Sequence, residues 1–223
     1  MSIRENINQL RLEIPGNIKI IAISKTKSPA QILEAYNAGY RFFGENRVQE
    51  LTEKAAILPG DIQWHMVGHL QTNKVKNIIP FISLIHSVDS IKLLGVINNE
   101  SLKIYKIQDC LLQVYIAREE TKFGFSEDEL AATLRSQEFA KLSNIRIAGL
   151  MGMATFTDDE SVVREEFRNL AMIFKKIKKD FFPDQDFFRE LSMGMSGDYK
   201  IAIEEGSTMV RIGTLIFGER VLQ

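Results

Sequence analysis

The sequence has little that would commit it to an oxidising compartment, a membrane or a nucleic acid. It contains one cysteine, Cys110, in the apolar run CLLQVYIA, so no intrachain disulfide can form. That fits a reducing cytoplasm, and Cys110 reads as a small core residue. No window approaches the roughly 18 consecutive apolar residues of a membrane span. The opening stretch, MSIRENINQLRLEI, is charged and amphipathic and lacks the apolar centre of a signal peptide. Lys and Arg number 28 against 29 Asp and Glu, a formal net charge of -1. Neither sign is in excess, which argues against general electrostatic capture of nucleic acid or lipid headgroups. Neither the G-x-x-x-x-G-K-[ST] loop nor GxGxxG occurs.

What is there is an alternation. With 223 residues, 45% of them hydrophobic, the chain can build a full core. Short apolar, β-branched runs predict strands at Ile18–Ser24, Arg41–Gly44, Gln63–Val67, Leu84–Ser87, Leu111–Ala117, Ile147–Met151, Phe188–Ser192 and Met209–Ile212. Several are apolar on both faces, as parallel strands covered by helices must be. Helical patterns fill the gaps at Pro29–Ala38, Arg47–Leu58, Thr72–Ile79, Ser90–Asn98, Glu127–Gln137, Asp158–Lys179 and Asp198–Glu205. Ser28 is placed to cap the first of these and Gly39 to close it. Thr157-x-x-Glu160 has the form of a capping box, and Val163, Phe167, Leu170, Phe174 and Ile177 mark one face at helical spacing. A leading helix and eight strand–helix units predict an α/β fold: a single-domain (β/α)8 TIM barrel over residues 1–223 with an additional N-terminal helix. An open doubly wound sheet is the structural alternative.

In such a barrel, functional groups gather where strands end. SKTK follows the first strand. An amine there can bind an anion or attack a carbonyl, and partial desolvation beside another cation favours the nucleophile. Lys25 and Lys27 share strand parity, so spacing does not choose between them. Ser196-Gly197 and Arg211-x-Gly213-Thr214 leave the last two strands. Their hydroxyls and close-approaching backbone N–H groups suit a phosphate, and the final units of a barrel often hold one. His65 and His69 stand four apart, but on a strand and without the acidic partner of a helical zinc motif; no metal is expected. His65 is expected to pack or hydrogen-bond beneath the pocket. KKIKK, Lys175–Lys179, reads as the solvated end of the long helix.

The motifs IAISKTK, FFGENRVQE, WHMVGHLQTNK, HSVDS, GLMGMAT and LSMGMSGDYKIAIEEGSTMVRIGTLIFGER closely resemble the pyridoxal-phosphate homeostasis protein family. They run in family order from Ile20 to Arg220. In REETKFGF, Phe123 stands where a small residue is expected. The resemblance implies a monomeric, cytoplasmic barrel related to the N-terminal domain of alanine racemases. It implies bound pyridoxal 5'-phosphate (PLP), held as a Schiff base on Lys25. It implies a role in vitamin B6 and amino- and keto-acid balance rather than dedicated turnover. Ser196, Gly213 and Thr214 are then the expected phosphate binders. Arg211 is expected to face the pyridine nitrogen, keeping it unprotonated and weakening PLP as an electron sink. Asn46 is expected to position the aldehyde side, to cap the next helix, or to do both. Met193 and Met195 either shape the pocket or fill core. Expected partners are PLP, amino acids as external aldimines and PLP-dependent apoenzymes. A PLP-dependent amino-acid racemase is the alternative. It requires an acid/base group on each face of the substrate, which alanine racemases complete with a tyrosine from a second domain.

Overall fold

A computed structural model describes residues 2–118 and 123–219. Helix α1 (Ile3–Glu13) leads. The chain then alternates through β1 (Lys19–Ile23), α2 (Pro29–Asn37), β2 (Phe42–Glu45), α3 (Val48–Ile57), β3 (Gln63–Met66), a 3-10 turn with the short α4 (Val75–Ile78), and β4 (Ile82–Val88). It continues through α5 (Ile91–Leu102), β5 (Gln108–Gln113), α6 (Glu127–Arg135), α7 (Gln137–Ala140), β6 (Ile145–Met151) and α8 (Glu160–Phe181). It closes with β7 (Glu190–Met195), α9 (Tyr199–Glu204), β8 (Met209–Ile212) and α10 (Thr214–Phe217).

The eight described strands form a closed parallel barrel in chain order, β1 pairing with β8 from Lys19↔Met209 to Ala22↔Ile212. This is the predicted TIM barrel. Side-chain alternation divides its core into two layers. On β1, Ile20 and Ala22 pack outward in the main core, while Ile21 and Ile23 join Leu84, Leu111, Ala148, Met151 and Met209 inside. Each such buried aliphatic side chain contributes about 1.5–3 kcal/mol relative to exposure. Buried polar residues, among them His65, His86, Ser192 and Arg211, interrupt the apolar interior. Among the described residues, no helix is long and apolar enough to cross a membrane.

Several local expectations hold. Ser28 accepts from Gln31 N–H in a full capping box, and Gly39, at φ +84°, closes α2. On α8, Val163, Phe167, Leu170 and Ile177 are buried, and Phe174 stacks on Phe188 with centroids 5.0 Å apart.

Others need correction. The fifth strand begins at Gln108, three residues earlier than its apolar run suggests. Asp109 belongs to it because Arg146 on β6 meets its carboxylate from the next strand at 2.5 and 2.7 Å. Val114 has already left the strand and makes a single bridge to Phe125. The helix expected over 127–137 breaks at Ser136, whose hydroxyl caps a new helix by accepting from Phe139 N–H. The Thr157–Glu160 capping box does not form. Asp159 caps α8 instead, accepting from Ser161 N–H, while Thr157 Oγ1 accepts from Asp159 N–H. The seventh strand runs on to Met195, with a register irregularity between Ser192 and Met195 where Gly194 takes φ +95°, a conformation that favours glycine. In REETKFGF, residues 119–122 lie outside the described residues, as does Arg220.

Candidate functional site

The C-terminal mouth of the barrel holds a cavity of about 370 Å³. Lys25, Asn46, Ser196, Arg211, Gly213 and Thr214, the residues singled out in the sequence, all line it. So do Lys27, Met195 and the exposed Phe156. The elements that bring them together are the exits of β1, β2, β7 and β8, of which β1 and β8 are hydrogen-bonded neighbours.

Lys25 follows β1 on a tightly held loop. Ser24, fully buried, donates its hydroxyl to Glu45 Oε1 at 2.6 Å. The Lys54 ammonium, from α3, reaches Glu45 Oε1 at 2.7 Å, the Ser24 carbonyl at 2.7 Å and Glu50 Oε1 at 2.6 Å. Glu50 also accepts from Thr26 N–H at 2.6 Å. Both neighbours of Lys25 are therefore tied to one ionic knot. Thr26 sits at φ +65°, which is uncommon for a residue with a β-branched side chain and stores strain. Burial raises the Glu45 carboxyl above its ordinary pKa against the lowering effect of its Lys54 and Ser24 hydrogen bonds. Its Oε2 has no hydrogen-bond partner among the described residues.

Both lysines of the SKTK stretch line the cavity, and one of them has clear structural work. Lys27 Nζ donates to the carbonyls of Phe217, Gly218 and Glu219 at 3.3, 3.1 and 3.3 Å. An ammonium has three protons and no acceptor, so these contacts use all it has. Lys27 is a tether for the segment after α10; Lys25 lines the cavity at the exit of β1.

Arg211 forms part of the floor. Its guanidinium is buried, and burial pulls its pKa down to about 10, still far above neutrality. Nη1 donates to the Ser192 carbonyl at 2.9 Å and to Ser192 Oγ at 2.8 Å, and Nη2 donates to the Gly152 carbonyl at 3.0 Å. Ser192 Oγ lies 3.0 Å from His86 Nδ1, and His86 Nε2 lies 2.8 Å from His65 Nδ1. Burial, then the positive charge of Lys19, pulls His65 down to about 3. His86 is also pushed well below its ordinary value, first by burial and then by His65, Arg211 and Lys19. Both rings are neutral at physiological pH.

At the exits of β7 and β8, Ser196 Oγ accepts from Gly213 N–H at 3.3 Å. With Thr214 next in the chain, this edge offers two hydroxyls and small-residue backbone to an anion. Asn46 lines the cavity but does not cap α3. The N-cap position is Arg47, without a side-chain bond, which removes the capping alternative. The Asn46 backbone passes so close to Gly68 that a Cβ on Gly68 would lie 2.3 Å from the Asn46 carbonyl oxygen. Met195 lines the mouth, whereas Met193 is fully buried in the outer core. His69 is half exposed, faces Asp89 at 3.4 Å and stacks on Phe123. Among the described residues no group of three or more His, Cys, Asp or Glu could hold a metal ion.

Sequence reasoning missed Glu45, Lys54, His86 and Ser192. The available signals were a histidine inside the apolar run LIHSV and a glutamate ending an apolar strand.

Comparison with known proteins gives a consistent result. Residues 1–221 match the family described as "Alanine racemase, N-terminal domain". The pyridoxal phosphate homeostasis protein of Aquifex aeolicus (strain VF5) is 40% identical over 203 residues, 91% of this chain and 87% of that protein. The structure of PipY from Synechococcus elongatus PCC7942 with PLP bound superposes with a TM-score of 0.87 at 34% identity, over 97% of this chain and 100% of that chain. An alanine racemase of Clostridium difficile 630 shares the fold at 16% identity and a TM-score of 0.75; the match spans 100% of this chain and 57% of that one.

Proposed function

The chain belongs to the pyridoxal phosphate homeostasis proteins of the alanine racemase N-terminal domain family, and we propose from this that its cavity holds PLP for intracellular vitamin B6 balance. The observation that carries the reading is the donor set around the cavity. One cavity of about 370 Å³ at the barrel mouth brings together a strand-exit amine, a hydroxyl-rich anion edge and a buried guanidinium. These match the aldehyde, phosphate and pyridine nitrogen of PLP, so the residues present fit the group.

Lys25 is the covalent anchor. Ser196, Gly213 and Thr214 hold the phosphate through hydroxyls and backbone N–H. Asn46 borders the site at the exit of β2. Arg211 donates to the ring nitrogen and, as a cation with no acceptor, keeps a proton off it. PLP when bound supplies an aldehyde for amines and an electron sink for carbanions. A protein that leaves the ring nitrogen unprotonated weakens the second property and leaves the first.

We infer a carrying or buffering role, with release to apoenzymes and exchange with amino acids, rather than dedicated turnover. Racemisation needs an acid/base group on each face of the substrate. Among the described lining residues there is no tyrosine or histidine, and Lys27 is committed to three carbonyls. We propose a monomer in a cytoplasmic setting, the latter supported by the single buried cysteine.

Borohydride reduction of the PLP-loaded protein followed by peptide mapping tests the anchor. The pyridoxyl group is expected on Lys25; an adduct mainly on Lys27 would overturn the assignment. Ser196→Ala and Thr214→Ala are each expected to weaken PLP retention by ~1–3 kcal/mol in equilibrium dialysis. Unchanged affinity in the double variant would remove these hydroxyls from the site. Negligible α-proton exchange of amino acids in deuterium oxide is expected; exchange at the rate of an equal amount of alanine racemase would promote the enzyme reading.

A further inference from the structure

Building on the PLP reading, we propose that His86, linked to Ser192 on one side and His65 on the other, is a positioning residue that holds Arg211 in a single donor orientation toward the cofactor. The argument is a count of protons along the chain. A guanidinium only donates, so Ser192 Oγ must accept from Arg211 Nη1 at 2.8 Å. The serine's own proton then points to His86 Nδ1, 3.0 Å away. That nitrogen must be an acceptor, which puts the ring proton of His86 on Nε2. His86 Nε2 then donates to His65 Nδ1 at 2.8 Å, and the proton of His65 sits on its own Nε2. Ser192 Oγ has lone pairs for two donors, so what disfavours the reverse direction is that the serine's own proton would lose the imidazole acceptor beside it.

The direction is therefore imposed by Arg211 and passed across four strands, β8, β7, β4 and β3. At its far end His65 lines a second cavity, at the opposite mouth, beside the Lys19–Glu190 pair. The cations facing the chain are Lys19 on β1 and Arg211 on β8, so a third positive charge is opposed from both ends. A neutral ring at His86 satisfies Ser192, and Ser192 in turn fixes one edge of the guanidinium. The remaining N–H groups of Arg211 are left aimed by that constraint rather than by rotamer preference.

Two arms test this. In PLP-free protein carrying 15N-histidine, NMR should show both rings neutral with the proton on Nε2 around pH 7, and Arg211→Met should mix the His86 tautomers. In PLP-loaded protein, His86→Leu should displace the absorbance-versus-pH profile of the bound cofactor and weaken its retention roughly fivefold to tenfold. His86→Asn, whose Oδ1 stands in for Nδ1, should restore both. If His86→Leu fails to fold, Ser192→Ala carries the same expectation. A charged or Nδ1-protonated His86 ring, or a folded His86→Leu protein with wild-type profile and affinity, overturns the proposal. If the wild-type protein takes no PLP, the PLP reading falls, and the NMR arm alone decides whether Arg211 orders the chain.

Discussion

Two polar networks lie under one cavity, and they solve burial in opposite ways. Under Lys25, Glu45, Lys54 and Glu50 answer charge with charge, and the backbone of Ser24 and Thr26 is hung on them. Under Arg211, a single cation is solvated by two carbonyls and a hydroxyl, and two neutral imidazoles back the hydroxyl in series. The first arrangement sets position strongly but depends on every partner being present, because an abandoned buried charge is expensive. The second has Asp198 as an electrostatic partner of the guanidinium and depends on proton placement. The amine's loop is thus fixed by attraction, whereas the guanidinium is fixed by geometry.

The largest test of this contrast removes one charge from the knot. Lys54→Met should lower stability by about 3–5 kcal/mol, read as a fall in the urea midpoint, because Glu45 would be left buried without its cation. Glu45→Leu combined with Lys54→Met should recover much of that loss. If the single change is as mild as a surface substitution, the knot does not hold the loop.

The next test uses pH and addresses the histidine chain. His65 has a folded pKa of about 3 against an ordinary 6.5, so the unfolded chain binds more protons between these values. Stability from this group is full above pH 6.5 and is lost as pH falls toward 3. Between pH 7 and 5 it should cost about 2 kcal/mol, and His86 adds in the same direction. Glu45 is raised, so it acts oppositely: its contribution is full below its ordinary value and is lost as pH rises through its folded value. Urea titrations at the two pH values should show a net acid loss, shrinking in His65→Phe. An unchanged slope in that variant would remove His65 as its source.

The smallest test concerns strain. Thr26→Gly should leave the N–H bond to Glu50 in place and relieve the positive φ, raising stability by no more than ~1 kcal/mol after the entropy of glycine is counted. A clear loss of stability would mean that the threonine side chain itself contributes.

Much of the fold was legible because parallel strands must be apolar on both faces, and their order alone predicts a barrel. The strand-exit residues of the cavity were legible for the same reason: the barrel assigns a function to position. What could not be read was pairing across strands. Asp109 looked too polar for a strand because Arg146 lies 37 positions away. Glu45 and Lys54 look like an ordinary strand end and an ordinary helix charge until the α3 packing brings them together. His65 was expected beneath the pocket, but its partner His86 depends on the register of β3 and β4, which shifts between Trp64 and His65. Thr157 lost the cap to Asp159 because a carboxylate two residues on reached the free N–H first.

The closure of β1 onto β8 has a consequence in time. Lys27 and Phe217, which it binds, are 190 positions apart, and the cavity's amine and its anion edge come from the first and last strands. A chain emerging from the ribosome carries Lys25 early but lacks Arg211, Gly213 and Thr214 until the eighth strand has been made. Nascent chains should therefore be unable to sequester the cofactor, and capture should coincide with the final, long-range closure of the barrel, the slowest class of contact to form.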